Sequence, residues 1–270
     1  MARERPGPEF WELLRPHTGQ LSGSEPTVRG FGSDLTAVVN CAHGPFFVKA
    51  VRNSRGGRRS SIIREKQINP AVQPLSPPLM WTAENEEWIV LGFSEVTGHR
   101  ADFSPDSTDL ATAARLVDAI GDAETPAFTR SWREERWDRF AASPEQAGQF
   151  RGTTLVHGDI NPSNFVIGAE QSWVVDWAWP TLGAGFVDPA CLVVQLVSAG
   201  HAPEAAEQWA ARCRGWQEAD PEAIDAFTLA TVRRWDAWVA RRPDTDWLRA
   251  MRDAAHSWAG YRRVPVGETE

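Results

Sequence analysis

Lysine is almost missing from this 270-residue chain: of its 28 basic residues only Lys49 and Lys66 are lysines, and the rest are arginines. A phosphate loop built on Gly-Lys-Ser/Thr is thereby excluded, because Lys49 is followed by Ala50 and Lys66 by Gln67. The heavy use of Arg, Ala and Gly reflects a GC-rich genome, which makes each retained lysine worth weighing. Cysteine is scarce too. Cys41, Cys191 and Cys213 are too few and too far apart for a disulfide framework or a paired-cysteine zinc site, so a reducing cytoplasm is the expected location. No run of about 18 apolar residues occurs, and no apolar stretch follows the charged N-terminus, so neither a membrane span nor a standard export signal is expected. The histidines show no metal-binding His-x-x-x-His or His-x-Glu spacing, and no Gly-x-Ser-x-Gly elbow is present. Net positive charge is lacking as well. At −8 the chain does not suit a nucleic-acid partner, and Arg55, Arg58, Arg59 and Arg64 read as a solvated loop and helix start.

What is present is a globular composition, 42% hydrophobic and 24% charged, with enough chain for one large domain or two lobes. After an amphipathic opening at Phe10, Trp11, Leu13 and Leu14, residues 27 to 52 read as strands broken by turns at Gly30-Phe31-Gly32-Ser33 and His43-Gly44-Pro45. Ser60 or Ser61 can cap a helix that runs to about Ile68, where Asn69-Pro70 stops it. The strand at Trp88 to Leu91 then leads into a connecting segment over 92–98. Leu110, Ala113, Ala114, Leu116, Val117 and Ile120 recur at spacings of three and four, which predicts a helix, and a second is predicted over Trp132 to Phe140. Short apolar strands at Thr154 to Val156, Phe165 to Ile167 and Trp173 to Val175 enclose a polar loop. From about Pro189 to Arg263 the chain reads as helix. Its six tryptophans there, Trp209, Trp216, Trp235, Trp238, Trp247 and Trp258, are expected in the core, with one or two lining a ligand pocket.

The chemistry concentrates in the polar loop, His157-Gly158-Asp159-Ile160-Asn161-Pro162-Ser163-Asn164, followed by Val175-Asp176-Trp177. An aspartate on such a loop can accept a proton from a hydroxyl. An amide oxygen and a second carboxylate can hold a hard divalent cation, and Mg²⁺ takes one or two protein carboxylates together with phosphate oxygens. Asp159, Asn164 and Asp176 supply these groups. Lys49, at the end of an apolar strand, can reach nucleotide phosphates, with Glu65 holding its ammonium. Phosphoryl transfer asks for this division of labour, since positioning and charge neutralisation supply most of the catalysis.

With Phe47-Val48-Lys49, Arg64-Glu65, the His157 to Asn164 loop, and Asp176 with Asp188 downstream, the sequence resembles the aminoglycoside phosphotransferase and choline kinase-like family, over roughly residues 27 to 200. The resemblance implies an α+β, two-lobed protein-kinase-like fold: a small N-terminal antiparallel sheet with one helix over residues 1–95, and a mainly helical catalytic and acceptor-binding lobe over 96–270. It implies Mg-dependent transfer of the γ-phosphate of ATP or GTP to a hydroxyl of a small molecule, an antibiotic or related natural product, in a cytoplasmic monomer or weak homodimer with antibiotic resistance as the implied role. Carried over, it makes Asp159 the base, Asn164 and Asp176 the Mg ligands, and Lys49 the phosphate contact paired with Glu65. Phe31 to Ser33 resembles the turn over the phosphates, and the backbone of Phe93, Ser94 and Val96 resembles the hinge that meets the base.

Two departures from protein kinases stand out. Gly158 replaces the arginine of His-Arg-Asp, and Asp176-Trp177-Ala178 replaces Asp-Phe-Gly, with no Ala-Pro-Glu segment beyond, so regulated protein phosphorylation is a weak reading. A peptide-modifying kinase of a biosynthetic pathway and a nucleotide-binding pseudokinase are the alternatives, although no motif residue is missing. Glu204, Glu207, Glu218, Asp220, Glu222 and Asp225 could line a pocket for a polyamine-like acceptor.

Overall fold

The computed structural model describes residues 6–26 and 33–266. The chain divides into two compact units, Met1–Gly98 with Trp173–Trp179, and His99–Ser172 with Pro180–Glu270. Among the described residues no helix is long and apolar enough to cross a membrane.

The first unit opens with α1 (Pro8–Thr18), started by a proline whose missing N–H costs a helix nothing in its first turn. Strands β1 (Leu21–Pro26), β2 (Leu35–Cys41) and β3 (Phe46–Arg52) precede α2 (Gly57–Ile68), and β4 (Leu79–Glu84) and β5 (Trp88–Ser94) follow. The five strands form one antiparallel sheet in the order β1-β2-β3-β5-β4. Alternation along β3 sends Phe46, Val48 and Ala50 to one face, where they join Phe10 and Leu14 of α1, Trp81 and Trp88. Val51, and Phe47 at the margin, belong to the opposite face with Leu91, Phe93 and Ile62 of α2. Lys49 shares the parity of Phe47 and Val51. It therefore faces α2, whose buried stripe is Ser61, Ile62, Glu65 and Ile68.

The second unit begins with β6 (His99–Arg100) and α3 (Leu110–Asp122), followed by the short α4 (Pro144–Gly148). Strand β7 (Thr154–Val156) comes next, then β8 (Phe165–Ile167), β9 (Ser172–Val174) and β10 (Thr181–Gly183). β6 pairs with β8, and β7 with β10, both antiparallel. Five helices complete the chain: α5 (Val187–Ser198), α6 (Pro203–Ala210), α7 (Arg214–Gln217), α8 (Pro221–Arg241) and α9 (Asp246–Arg262). The sheet, covered by α1 on one face and α2 on the other where one helix was expected, and the helical remainder make the α+β class expected from the sequence.

Four readings need correction. The helix over 57–68 starts a turn before the serines, and Ser60 and Ser61 donate back to the carbonyls of Gly56 and Arg58 rather than capping. Strand β4, with only Trp81 and Ala83 buried, gave no alternation long enough to read. Trp132 to Phe140 is not one helix: Asp138–Phe140 forms a short 3-10 helix, but Glu134 N–H bonds the Leu182 carbonyl at 2.9 Å and Leu182 N–H bonds that of Trp132 at 2.5 Å, so pairing beside β10 overrides a helix-forming composition at its start. Of the six late tryptophans, Trp258 is fully buried and Trp247 is exposed, while the other four are half-buried. The expected turn at Gly30-Phe31-Gly32 lies outside the described residues.

The Trp81 indole crosses Gly92 of β5 so closely that a Cβ there would sit 2.1 Å from the ring. Trp81 is itself fixed, stacked on His17 of α1 at 5.1 Å and in edge contact with Phe46. Gly92→Ala is therefore expected to lose about 1–3 kcal/mol by overpacking, measured by urea denaturation.

Candidate active site

Lys49 lies in the middle of the sheet on β3, opposite Thr36 and Leu91. Its ammonium, in a residue only 7% exposed, meets Glu65 Oε2 at 2.6 Å and Asp176 Oδ1 at 2.5 Å. Burial opposes the charged form, yet the two carboxylates outweigh it and raise the Lys49 pKa, so the cation is retained. Glu65 is 4% exposed. Burial drives its pKa up, against the pull of the ammonium. Asp176 holds φ at 64°, in the left-handed region that non-glycine residues rarely adopt, and such local strain clusters at functional positions. The turn is tied down on both sides: Val174 N–H bonds the Leu75 carbonyl at 2.8 Å, and the buried Trp177 indole N–H bonds the Val174 carbonyl at 3.0 Å.

In the second unit, the exposed Asp159 is flanked by buried His157 and Ile160. Asn164 Nδ2 donates to both the Asp159 carbonyl, at 2.8 Å, and Oδ2, at 3.0 Å, while Asn161 Nδ2 donates to Oδ1 at 3.1 Å. The Asp159 amide is turned toward His157 Nδ1 at 3.3 Å. The carboxylate is thus held in one orientation while staying open to solvent. Spending both Asn164 amide protons on Asp159 leaves Asn164 Oδ1 without a partner among the described residues, and a neutral oxygen so oriented suits a hard cation. Asn164 and Asp176 belong to different units, and no cluster of three or more acidic, His or Cys side chains fit for a metal occurs among the described residues. Each oxygen taken singly is of the hard, neutral-or-anionic type that Mg²⁺ accepts, since that ion takes few protein ligands and completes its shell with phosphate and water.

The loop is clamped on both sides, by Asp188, which the sequence singled out, and by Glu134, Arg136 and Thr181, which it did not. Asp188, at the start of α5, accepts the amides of both His157 and Gly158 at 2.7 Å, so it braces the loop that carries Asp159. Burial raises its pKa against those bonds and the nearby Arg136 charge. On the other side Gly158 has φ 71°, and a Cβ built there would lie 2.0 Å from Arg136 Nη1. The Arg136 guanidinium occupies the space a side chain would take. It is held by Glu134 through Nε at 2.9 Å and by the Thr181 hydroxyl at 2.8 Å. Glu134 is nearly inaccessible, but the bonds to Arg136 and Thr181 overcome burial and lower its pKa. Nothing in the local sequence links residues 134–136 to a loop twenty residues on.

The remaining candidates are spread more widely. Ser33 is buried, and its hydroxyl has no partner among the described residues. Phe31 and Gly32 lie outside the described residues. Phe93 is buried in β5, the Ser94 amide is already engaged by the Pro78 carbonyl at 2.9 Å, and Val96 stands half-buried beyond the strand. Half of the acidic set suggested for a cationic acceptor is committed elsewhere: Glu207 and Asp225 bind Arg262, and Asp220 caps the Glu222 amide. Asp188→Asn replaces one accepting oxygen with a donor aimed at an amide N–H. It is expected to cost about 1–3 kcal/mol, read as a lowered Tm.

Residues 91–227, a little over half of the chain, match the model of the phosphotransferase enzyme family. No curated protein matches the sequence. Among solved structures, an aminoglycoside phosphotransferase from Alicyclobacillus acidocaldarius aligns over 97% of this chain and 97% of its own, at 13% identity and a TM-score of 0.61. Choline kinase LicA from Streptococcus pneumoniae aligns over 94% and 98%, at 12% identity and a TM-score of 0.64. Amicoumacin kinase hAmiN, solved with AMP-PNP, Ca²⁺ and its ligand, aligns over 100% and 97%, at 11% identity and a TM-score of 0.60. At such identities the likeness establishes a shared kinase-like fold, and with the match over residues 91–227 the chain belongs to the phosphotransferase enzyme family.

Proposed function

We propose that this protein transfers the γ-phosphate of ATP or GTP to a hydroxyl of a small molecule, an antibiotic or related natural product. The observation that carries the reading is Asp159: an exposed carboxylate fixed by two amide side chains on a loop clamped from both sides. So held, it can accept an acceptor hydroxyl's proton and aim the oxygen. Lys49, kept charged by Glu65 and Asp176, supplies a fixed cation for nucleotide phosphates. The unspent Ser33 hydroxyl is a second phosphate donor, and Phe93, Ser94 and Val96 contribute the backbone edge for the base. Residues 1–95 are the nucleotide-binding part and 96–270 the catalytic and acceptor-binding part.

Asn164 and Asp176 would hold Mg²⁺, which when bound neutralises phosphate charge. Support for Asn164 comes from its outward carbonyl oxygen, and support for Asp176 from the left-handed turn that presents a carboxylate still 36% exposed in its side chain. Nucleotide binding relieves the pull of Lys49 on Asp176 by offering the ammonium phosphate oxygens instead.

The reading is tested by ADP or GDP release in the presence of Mg²⁺ against pooled hydroxyl compounds. Asp159→Asn is expected to lower kcat by about 10²–10⁴-fold while nucleotide Kd stays within a factor of two or so of wild type. Unchanged turnover in that variant removes Asp159 from the chemistry. Asp176→Asn is expected to weaken nucleotide binding with Mg²⁺ present and to have little effect in EDTA, by calorimetric titration. Equal loss in both conditions would remove the metal assignment.

A further inference from the structure

Helix α8 buries a stripe of Ile224, Phe227, Thr228 and Thr231, and the next position on that stripe at helical spacing is Arg234. An arginine thus stands where the packing pattern calls for a core residue. Its guanidinium lies 4.4 Å from the centroid of Trp137, the ring that also packs 4.8 Å from Phe227 and carries Arg136 on it at 5.5 Å. Arg136 in turn covers Gly158, next to Asp159. Arg234 therefore reaches into the surroundings of the catalytic loop.

Arg234 has no acidic partner among the described residues, in a chain with 36 acidic groups. The two carboxylates whose charge it feels are engaged elsewhere: Glu134 by Arg136 and Thr181, and Asp159 by the side-chain amides of Asn161 and Asn164. Burial lowers the Arg234 pKa, and the charge of Arg136 adds to that, whereas Glu134 and Asp159 act the other way. Two further donors nearby are unspent. Trp137 Nε1 and the Thr231 hydroxyl are buried without a partner among the described residues, and each such group carries an unmet hydrogen-bonding demand. Arg233, the neighbour in sequence, is satisfied by the Phe140 carbonyl at 3.2 Å. A guanidinium stacked on an indole face with no carboxylate bound to it is a cation whose pairing is left to an anionic oxygen from outside the fold.

We infer that the acceptor carries an anionic oxygen group, a carboxylate or a phosphate ester, bound by Arg234 while its hydroxyl is presented to Asp159. The inference deepens the phosphotransferase reading above and rests on it. A planar guanidinium binds such a group through paired charge-assisted hydrogen bonds. It repels an ammonium, so polycationic acceptors are disfavoured at this site. This fits the commitment of Glu207, Asp220 and Asp225 to bonds within the fold.

The experiment measures ADP release with Mg-ATP for matched probes: D-glycerate against its methyl ester, pantothenate against panthenol, sn-glycerol 3-phosphate against glycerol, and the cations choline and kanamycin. The expected result is that at least one anionic probe exceeds its neutral partner in kcat/KM by about tenfold or more. Arg234→Gln is expected to collapse that ratio, and Arg234→Lys to restore part of it. A structural role would lower both members of a pair equally and leave their ratio intact. The inference is overturned if no anionic probe is turned over, if a neutral or cationic probe matches the anionic ones, or if Arg234→Gln keeps the ratio. Slow ADP release without any acceptor, present in wild type and lost in Asp159→Asn, separates the two levels. Its presence leaves the phosphotransferase reading standing when the acceptor class fails, and its absence together with inert probes removes both.

Discussion

A buried cation persists only beside opposite charge, and the ammonium of Lys49 organises the first unit on that rule. The period of β3 sends Lys49 to the face that α2 covers, the spacing of α2 puts Glu65 beside Ile62 on its inner stripe, and Asp176 arrives at a left-handed turn. Three separated pieces of sequence are thereby held at one atom. The sheet could bury a leucine at position 49 at less cost, so the ion cluster reads as a device for keeping a charge where water cannot screen it.

The loop that carries Asp159 follows a different logic. Its exposed aspartate is not buried or paired with a cation in direct contact, and its orientation comes from amides alone. Rigidity is supplied underneath, by Asp188 gripping two backbone amides and by the Arg136, Glu134 and Thr181 network filling the space over Gly158. Preorganisation of this kind lets a carboxylate remain reactive while its position is fixed.

Much of this was legible in the sequence because it obeys local periodicities. The three- and four-residue spacing of Leu110 to Ile120 marks α3, and the apolar run Phe46 to Val51 marks β3. The loop from His157 to Asn164 could be read because its short strands and its polar residues are adjacent in the chain. What stayed hidden depends on distant partners. Strand β4 exists because β5 pairs with it, residues 132–134 are drawn out of a helix because Leu182 bonds their backbone, and Arg136 finds Gly158 only through the fold. The scarcity of lysine singled out Lys49, but no sequence pattern distinguishes an arginine such as Arg234, which lacks an acid, from two dozen that are solvated or paired.

The close approach of Arg136 to Gly158 also binds the history of the two positions together. Any side chain at 158 would have to occupy space that the guanidinium already fills, and φ of 71° there disfavours any residue but glycine. A lineage can therefore change the glycine only after losing the arginine, and losing the arginine leaves Glu134 buried without its counterion. The two residues are thus sterically and electrostatically one unit in this chain: a side chain at 158 and the guanidinium of Arg136 compete for a single volume.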